Sequence, residues 1–236
     1  MATNASCHPF AARLRACAAA AVFAVVSCGA AHAEEHDLQS WLTGVAKIEL
    51  SKKWDTVFEA TWRFGDDLSR LQTTQVKGSL LYSLADNISI GGGYGYIVSK
   101  RPGNDIEENR IWEELNWKPG KIGGVSVALR TRLEERFVET GSETGWRFRQ
   151  QIKLTRPIHD GASNYVFGSG EILIGLNHTD WNARYGFDQS RLSAGMGFKL
   201  SDTLKLEAGY LNQFQPRRAA EDRMAHALAV TVKFEP

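Results

Sequence analysis

Apolar and polar side chains alternate in stretches of about ten residues from Trp41 to Phe234, separated by Gly, Asn, Asp, Ser or Pro. A period of two indicates strands, because successive side chains of a strand point to opposite faces. Residues 57–64 show the pattern well, with one apolar face formed by Phe58, Ala60, Trp62 and Phe64 and one polar face formed by Glu59, Thr61 and Arg63. The chain is therefore predicted to be all-β.

The same alternation predicts eleven strands and leaves no convincing helix between them. They lie near 41–50, 54–64, 72–84, 88–98, 109–117, 125–137, 146–156, 164–176, 187–200, 204–214 and 226–234. The predicted fold is an antiparallel up-and-down transmembrane β-barrel of about 10–12 strands. Residues 41–236 would form this single domain, and residues 34–40 would be a short N-terminal segment.

The connections between the predicted strands are of two kinds. Three are near copies that place three turn residues between two apolar ones, at 50–54, 84–88 and 200–204, and these predict tight hairpins. They alternate with longer polar connections near 99–108, 138–145, 177–186 and 215–225. Short turns at one end and long loops at the other are typical of an outer-membrane barrel.

The distribution of aromatic residues bears on the alternative of a soluble periplasmic barrel that binds a ligand. A soluble barrel turns its polar face to water and concentrates aromatic side chains inside. Here the apolar face carries aromatic residues near the strand ends, among them Trp54, Tyr82, Trp117 and Trp146. Such positions match the aromatic girdles at the two lipid interfaces, which favours the membrane barrel.

Residues 1–33 resemble a cleavable secretory signal peptide. Arg13 and Arg15 precede an apolar run from Ala16 to Val26, and small residues end at Ala33. The run of about eleven residues is too short for a spanning helix. Cleavage after Ala33 is predicted, with lipoprotein processing at Cys28 as the alternative. Because all three cysteines precede Ala33, the mature chain would have no disulfide and no thiolate metal site.

The predicted strands contain a conflict of parity. If the tight turns and the C-terminus are periplasmic, eleven strands place the start of the first strand on the outer side, whereas bacterial single-chain barrels normally have an even count. Either one strand is missed, or the segment 38–50 is not part of the wall, or one predicted strand is false.

Several spaced motifs resemble a known family. They are Glu108-Asn-Arg-Ile-Trp-Glu-Glu-Leu115, Arg130-Thr-Arg-Leu-Glu-Glu-Arg-Phe137, Phe187-Asp-Gln-Ser-Arg-Leu192 and Gly209-Tyr-Leu-Asn-Gln213. Together they resemble the bacterial proteins grouped as domain of unknown function 2490 (DUF2490), over residues 39 to 234. The resemblance implies an outer-membrane-type β-barrel and offers no catalytic residues to carry over.

A set of charged residues shares the polar face of neighbouring strands, where a barrel would direct it into the lumen. The set consists of Arg130, Arg132, Glu134, Arg136, Arg147, Arg149, Lys153, Glu171 and Arg191. One interpretation is a network of salt bridges that stiffens a narrow barrel, since buried charges need partners. The other is an anion-attracting lumen, since guanidinium groups match phosphates and carboxylates. The sequence predicts a barrel with a charged lumen, either a narrow pore or a structural or binding barrel, and no ligand can be named.

Other chemistry has weak support in the sequence. A lipid-modifying hydrolase or transferase would need a Ser and a His; His178 lies in a long loop beside Asp180, but no Gly-x-Ser-x-Gly motif occurs. Neither this pair nor His36 with its acidic neighbours has metal-ligand spacing. We predict no enzyme activity, no metal and no cofactor.

Without the leader the chain has 26 Lys and Arg (28 minus 2) and 27 Asp and Glu, so no nucleic-acid partner is expected. The expected partners are outer-membrane lipids and, during biogenesis, the barrel-assembly machinery.

Overall fold

The structure is a computed structural model that describes residues 34–217 and 220–236. The predicted leader 1–33 and the alternative processing site at Cys28 lie outside the described residues. Within the described ranges, no helix is long and apolar enough to cross a membrane.

Eleven strands form one closed barrel, which confirms the predicted fold class and strand count. The strands are β1 (Glu34–Ser51), β2 (Trp54–Gly65), β3 (Arg70–Ala85), β4 (Ile88–Ser99), β5 (Ile106–Ile122), β6 (Val125–Val138), β7 (Gly145–Pro157), β8 (Tyr165–Gly175), β9 (Gly186–Lys199), β10 (Leu204–Gln215) and β11 (Asp222–Phe234). The shortest has 11 residues and the longest 18. These lengths far exceed the five or six residues usual in globular proteins.

The closure of the barrel resolves the conflict of parity. Each strand pairs antiparallel with its neighbour in sequence, but β1 and β11 pair in parallel, from Glu34 beside Asp222 to Ala46 beside Phe234. With an odd number of strands the first and last run in the same direction, so their pairing must be parallel. None of the three suggested errors occurred. The segment 38–50 is part of the wall, and the separate segment predicted at 34–40 is wrong, because β1 begins at Glu34.

The two ends of the barrel differ as predicted. At the short-turn end, four connections are short, residues 52–53, 86–87, 123–124 and 200–203, whereas the fifth, residues 158–164, is longer than the loops 100–105 and 139–144 of the other end. At the long-loop end the connections are residues 66–69, 100–105, 139–144, 176–185 and 216–221. The turn at Gly123 and Gly124 was missed in the sequence, where β5 was predicted to end near 117; both glycines have positive φ, which suits a tight hairpin.

The distribution of side chains between the two faces is the reverse of that in a soluble domain. Among residues 34–217 and 220–236, seven hydrophobic residues are buried, against thirteen polar or charged ones. Large apolar side chains such as Phe58, Trp54 and Leu228 instead cover the outer surface and are 41–58% exposed. Exposed apolar surface on this scale marks a surface that contacts something other than water. The polar side chains, in turn, form the core of the barrel.

The glycine run of β4 makes room for an indole inside the barrel. A Cβ added at Gly93 would lie 2.3 Å from the Trp112 side chain, and one at Gly95 would lie 3.3 Å from the same ring. Tyr94, which is 52% exposed, alternates with these glycines and lies on the outer face. The glycines allow Trp112, 3% exposed, to lie flat against the inner wall.

Candidate functional site

The structure places all nine charged residues singled out in the sequence on the inner face of the barrel, on strands β6 to β9. Register brings them together: Arg132 pairs with Arg149, Glu134 with Arg147, and Glu171 with Arg191 across neighbouring strands. Like charges directly opposite would repel, so the carboxylates must lie between the arginines.

Glu134 is the centre of this arrangement and is only 1% exposed. Its Oε2 accepts hydrogen bonds from Nε and Nη2 of Arg147 at 3.0 and 2.6 Å, and its Oε1 accepts one from Nη1 of Arg149 at 2.5 Å. Arg132 Nη1 lies 3.8 Å from the same carboxylate. One negative charge thus holds three guanidinium groups from two strands.

Glu171 and Glu114 extend the network around the barrel. Glu171 accepts hydrogen bonds from Arg149 at 2.6 Å, and from Arg130 and Arg191 at 3.3 Å each. Glu114 accepts two from Arg132, at 2.5 and 2.9 Å. Each carboxylate therefore has good partners, as a buried charge requires.

A second layer lies nearer the long loops. Glu108 accepts forked hydrogen bonds from Arg110 and from Arg136, with distances from 2.5 to 3.0 Å. The Arg136 guanidinium lies 5.0 Å from the ring centre of Trp181, which belongs to a loop. This layer joins the lumen network to the loops above it.

A third layer lies near the short turns. Glu207 accepts hydrogen bonds from Lys153 at 2.6 and 2.8 Å and from the Tyr165 hydroxyl at 2.7 Å. The ammonium of Lys233 lies 2.7 Å from the same carboxylate. Two cations again share one carboxylate.

Two inner tryptophans, which sequence reasoning did not select, support arginines. The Arg63 guanidinium lies 3.7 Å from the Trp41 ring centre and that of Arg191 lies 5.3 Å from it. Arg132 lies 4.4 Å from the ring centre of Trp112. The sequence signal for both tryptophans was their position in the alternating pattern, since each lies two residues from polar residues that share its face of the strand.

Two adjacent cavities lie within the lumen. The turn-side vestibule has a volume of about 420 Å³ and is lined by residues of the short-turn end, including Asp86 and Lys118. The central chamber has a volume of about 160 Å³ and lies between Trp41, Arg63 and Arg191. Both cavities are lined by Glu59, Lys77, Arg130, Arg132 and Gln151, so the two are adjacent.

Asp180, which the sequence paired with His178, is engaged in a contact between two loops. Its carboxylate accepts hydrogen bonds from the backbone N–H and the hydroxyl of Ser142, at 2.8 and 3.0 Å, and from the Glu143 N–H at 3.3 Å. The backbone N–H of Ser142, followed by that of Glu143, lowers the pKa of this carboxyl group. Trp181 Nε1 donates to the Glu143 carbonyl oxygen at 2.7 Å. These contacts give Asp180 a structural role.

Asp37 and His36, which the sequence also suggested as metal ligands, do not converge. Asp37 faces the lumen and binds Gln39 and Arg223, whereas His36 points outward, 3.0 Å from His226. Neighbouring residues of a strand point to opposite faces, so they cannot ligate one ion. In the part of the chain that the structure describes, no group of three or more His, Cys, Asp or Glu could hold a metal.

Comparisons with known proteins identify a family and no activity. The sequence profile of "Protein of unknown function (DUF2490)" matches residues 38–225. An uncharacterised protein of Methylorubrum extorquens is 30% identical over 172 residues, which cover 72% of this chain and 75% of that protein. Among solved structures, the chain is similar to a bacterial polysaccharide outer membrane secretin (TM-score 0.40, 12% identity, 75% and 73% of the two chains). It is also similar to the translocator domain of the autotransporter NalP from Neisseria meningitidis (TM-score 0.42, 12% identity, 90% and 92%). Both TM-scores lie below 0.5, so these two likenesses support no conclusion about this chain.

Proposed function

The chain belongs to the DUF2490 family, and we propose that it is an outer-membrane β-barrel whose lumen binds a solute and does not act as an open diffusion pore. The observation that carries this proposal is the reversed distribution of side chains, with charges inside and large apolar residues outside. The proposal includes export by a cleaved leader over residues 1–33.

Strand length and the outer surface support a membrane location. A strand tilted by about 45° needs about 9–11 residues to cross the hydrocarbon layer, and every strand has at least 11. Aromatic residues lie on the outer face near strand ends, with Trp54 and Phe234 at the short-turn end and Trp146 and Phe187 at the long-loop end. These positions favour contact with outer-membrane lipids at both interfaces.

Orientation follows from the lengths of the connections. Outer-membrane barrels place short turns in the periplasm and longer loops outside the cell. In that orientation the turn-side vestibule opens to the periplasm. The last strand, β11, ends on outward-facing Phe234 at the periplasmic side, which suits the expected recognition by the barrel-assembly machinery.

The closed lumen is inferred from the two ion-pair layers between the vestibule and the long loops. Glu134, Arg147 and Arg149 are each at most 7% exposed although they lie inside the barrel. Arg149 bridges Glu134 on one side and Glu171 on the other. A barrel filled in this way favours binding over free passage of solutes.

Membrane fractionation combined with gel migration before and after boiling tests the location. We expect the protein in the outer-membrane fraction, with a migration that changes on boiling. Recovery as a soluble periplasmic monomer would overturn the proposal.

Planar-bilayer recording tests the closed lumen. The wild type is expected to show no steady conductance, and Arg149→Ala, which removes a side chain from between two carboxylates, is expected to raise it. A steady open channel in the wild type would instead indicate a pore. The proposal contains no catalytic step; lipid A mass spectra of wild type and His178→Ala test the enzymatic alternative.

A further inference from the structure

The central chamber carries an excess of positive charge. Two carboxylates line it, those of Glu59 and Glu171. Six cationic side chains line it as well: Arg63, Lys77, Arg130, Arg132, Arg149 and Arg191. Both carboxylates are already engaged, since Lys77 donates to Glu59 at 2.6 Å and three arginines donate to Glu171.

Arg63 is the one of these six cations that has no carboxylate partner among the described residues. Its Nε is buried and makes no hydrogen bond, and within residues 34–217 and 220–236 no carboxylate forms an ion pair with its guanidinium. An unpaired charge inside a protein is costly, and a bound ion or water is one way in which a buried polar group without a protein partner is satisfied. The chamber is the space in front of this group.

Trp41 holds Arg63 in a geometry suited to a ligand. The guanidinium stacks on the indole with its Cζ 3.7 Å from the ring centre, so the ring occupies one face of the group. The Nη donors lie in the guanidinium plane, at an edge that the indole leaves uncovered. The ring is itself held in place, because Trp41 Nε1 donates to Gln39 Oε1 at 2.7 Å and Gln39 Nε2 donates to Asp37 Oδ2 at 2.7 Å.

We propose that the central chamber is a binding site for a phosphate-type oxyanion, held by Arg63 and Arg191 and reached through the turn-side vestibule. The chamber of about 160 Å³ is equivalent to about five waters at about 30 Å³ each, which is room for the five heavy atoms of a phosphate. The charge-assisted hydrogen bonds of arginine match such a ligand.

The vestibule determines which phosphate compounds fit. It adds about 420 Å³ on the short-turn side and has apolar lining residues, among them Val57, Leu81 and Leu129. A phosphate monoester could therefore place its phosphate in the chamber and its organic part in the vestibule. The shared chemistry is the phosphate group, whether free or attached to a small molecule or lipid headgroup.

Calorimetric titration of the detergent-solubilised barrel with inorganic phosphate at low ionic strength tests the site. We expect saturable binding that is weakened roughly tenfold or more in Arg63→Gln. Arg63→Lys, which keeps the charge and loses the planar fork, should also bind more weakly and provides a second folded variant. Arg156→Gln, at an exposed position at the end of β7, is the matched control and should bind like the wild type.

A parallel titration with glycerol phosphate distinguishes the sources of the group. Tighter binding than inorganic phosphate assigns the vestibule to an organic part, and equal or weaker binding assigns free phosphate as the ligand. The site would be overturned if the wild type did not bind phosphate. It would also be overturned if both Arg63 variants bound phosphate with the affinity of the wild type. This inference rests on the proposed binding role, but binding in micelles does not require an outer-membrane location, so the two proposals fail separately.

Discussion

Replacing Glu134 by Gln removes the carboxylate that holds the middle layer of the lumen. Three charge-assisted hydrogen bonds from Arg147 and Arg149 lose their charged acceptor, and Arg132 loses its neighbour at 3.8 Å. Removing one partner of a buried ion pair costs about 3–5 kcal/mol, because the remaining charge stays buried without compensation. Arg149 and Arg132 keep Glu171 and Glu114, so we expect about 3 kcal/mol, the lower end of that range.

The control for this change is the neighbouring residue of the same strand. Glu135 points to the opposite face, beside Ile111 and Trp146, so Glu135→Gln makes the same chemical change outside the lumen. Equilibrium unfolding in urea, in detergent micelles, should show a lower free energy of unfolding for Glu134→Gln and no loss for Glu135→Gln. The folded fraction is read from gel migration without boiling.

Equal stability of the two variants would refute the reasoning, because it would mean that water in the lumen replaces the carboxylate at no cost. A loss in both variants would indicate that the charge of β6 matters regardless of the face on which it lies.

Two further predictions concern the loops and the inner wall. Because the folded-state pKa of Asp180 is lowered, the contribution of its carboxylate to the loop contact is present above about pH 4 and is lost as the pH falls below that value. Hydrogen exchange of residues 176–185 should therefore increase at low pH, and Asp180→Asn should show the same increase at neutral pH. Exchange that is independent of pH in the wild type would contradict this prediction. Gly93→Ala should destabilise the barrel by about 1–3 kcal/mol, because its Cβ would lie 2.3 Å from the Trp112 ring, while Gly44→Ala, with open space around the added atom, should be nearly neutral in the same unfolding assay.

The alternation of apolar and polar residues along the chain predicted most of the fold. A period of two assigns each side chain to a face, so it placed Arg132 and Glu134 together on the inner side without any knowledge of register. It could not supply the pairing of β1 with β11, because residues 188 positions apart in the chain, such as Glu34 and Asp222, leave no local pattern. The parity conflict was therefore visible in the sequence and could be resolved only by the closed barrel.

The candidate site was predicted in part. The charged set was found because seven of its nine members form two dense runs on the adjacent strands β6 and β7. Arg63 and Trp41 were missed as site residues because their contact depends on register, with Trp41 directly opposite Arg63 on β1 and β2. The alternating pattern alone would have placed Trp41 inside the barrel, since Trp41 shares one face of its strand with Gln39 and Thr43.

The distribution of charge along the lumen bears on whether the ion-pair network only stiffens the barrel or also binds a ligand. A network that served only to stiffen the barrel would gain most from pairing each cation with its own carboxylate, because excess charge of one sign inside a low-dielectric wall is repulsive. Here Glu108 is shared by two arginines, Glu171 by three, and Glu207 by two lysines. The excess is therefore positive in every layer and greatest beside Arg63, where space is also present. This arrangement supports the proposed binding of an anion beside Arg63, which lines the central chamber.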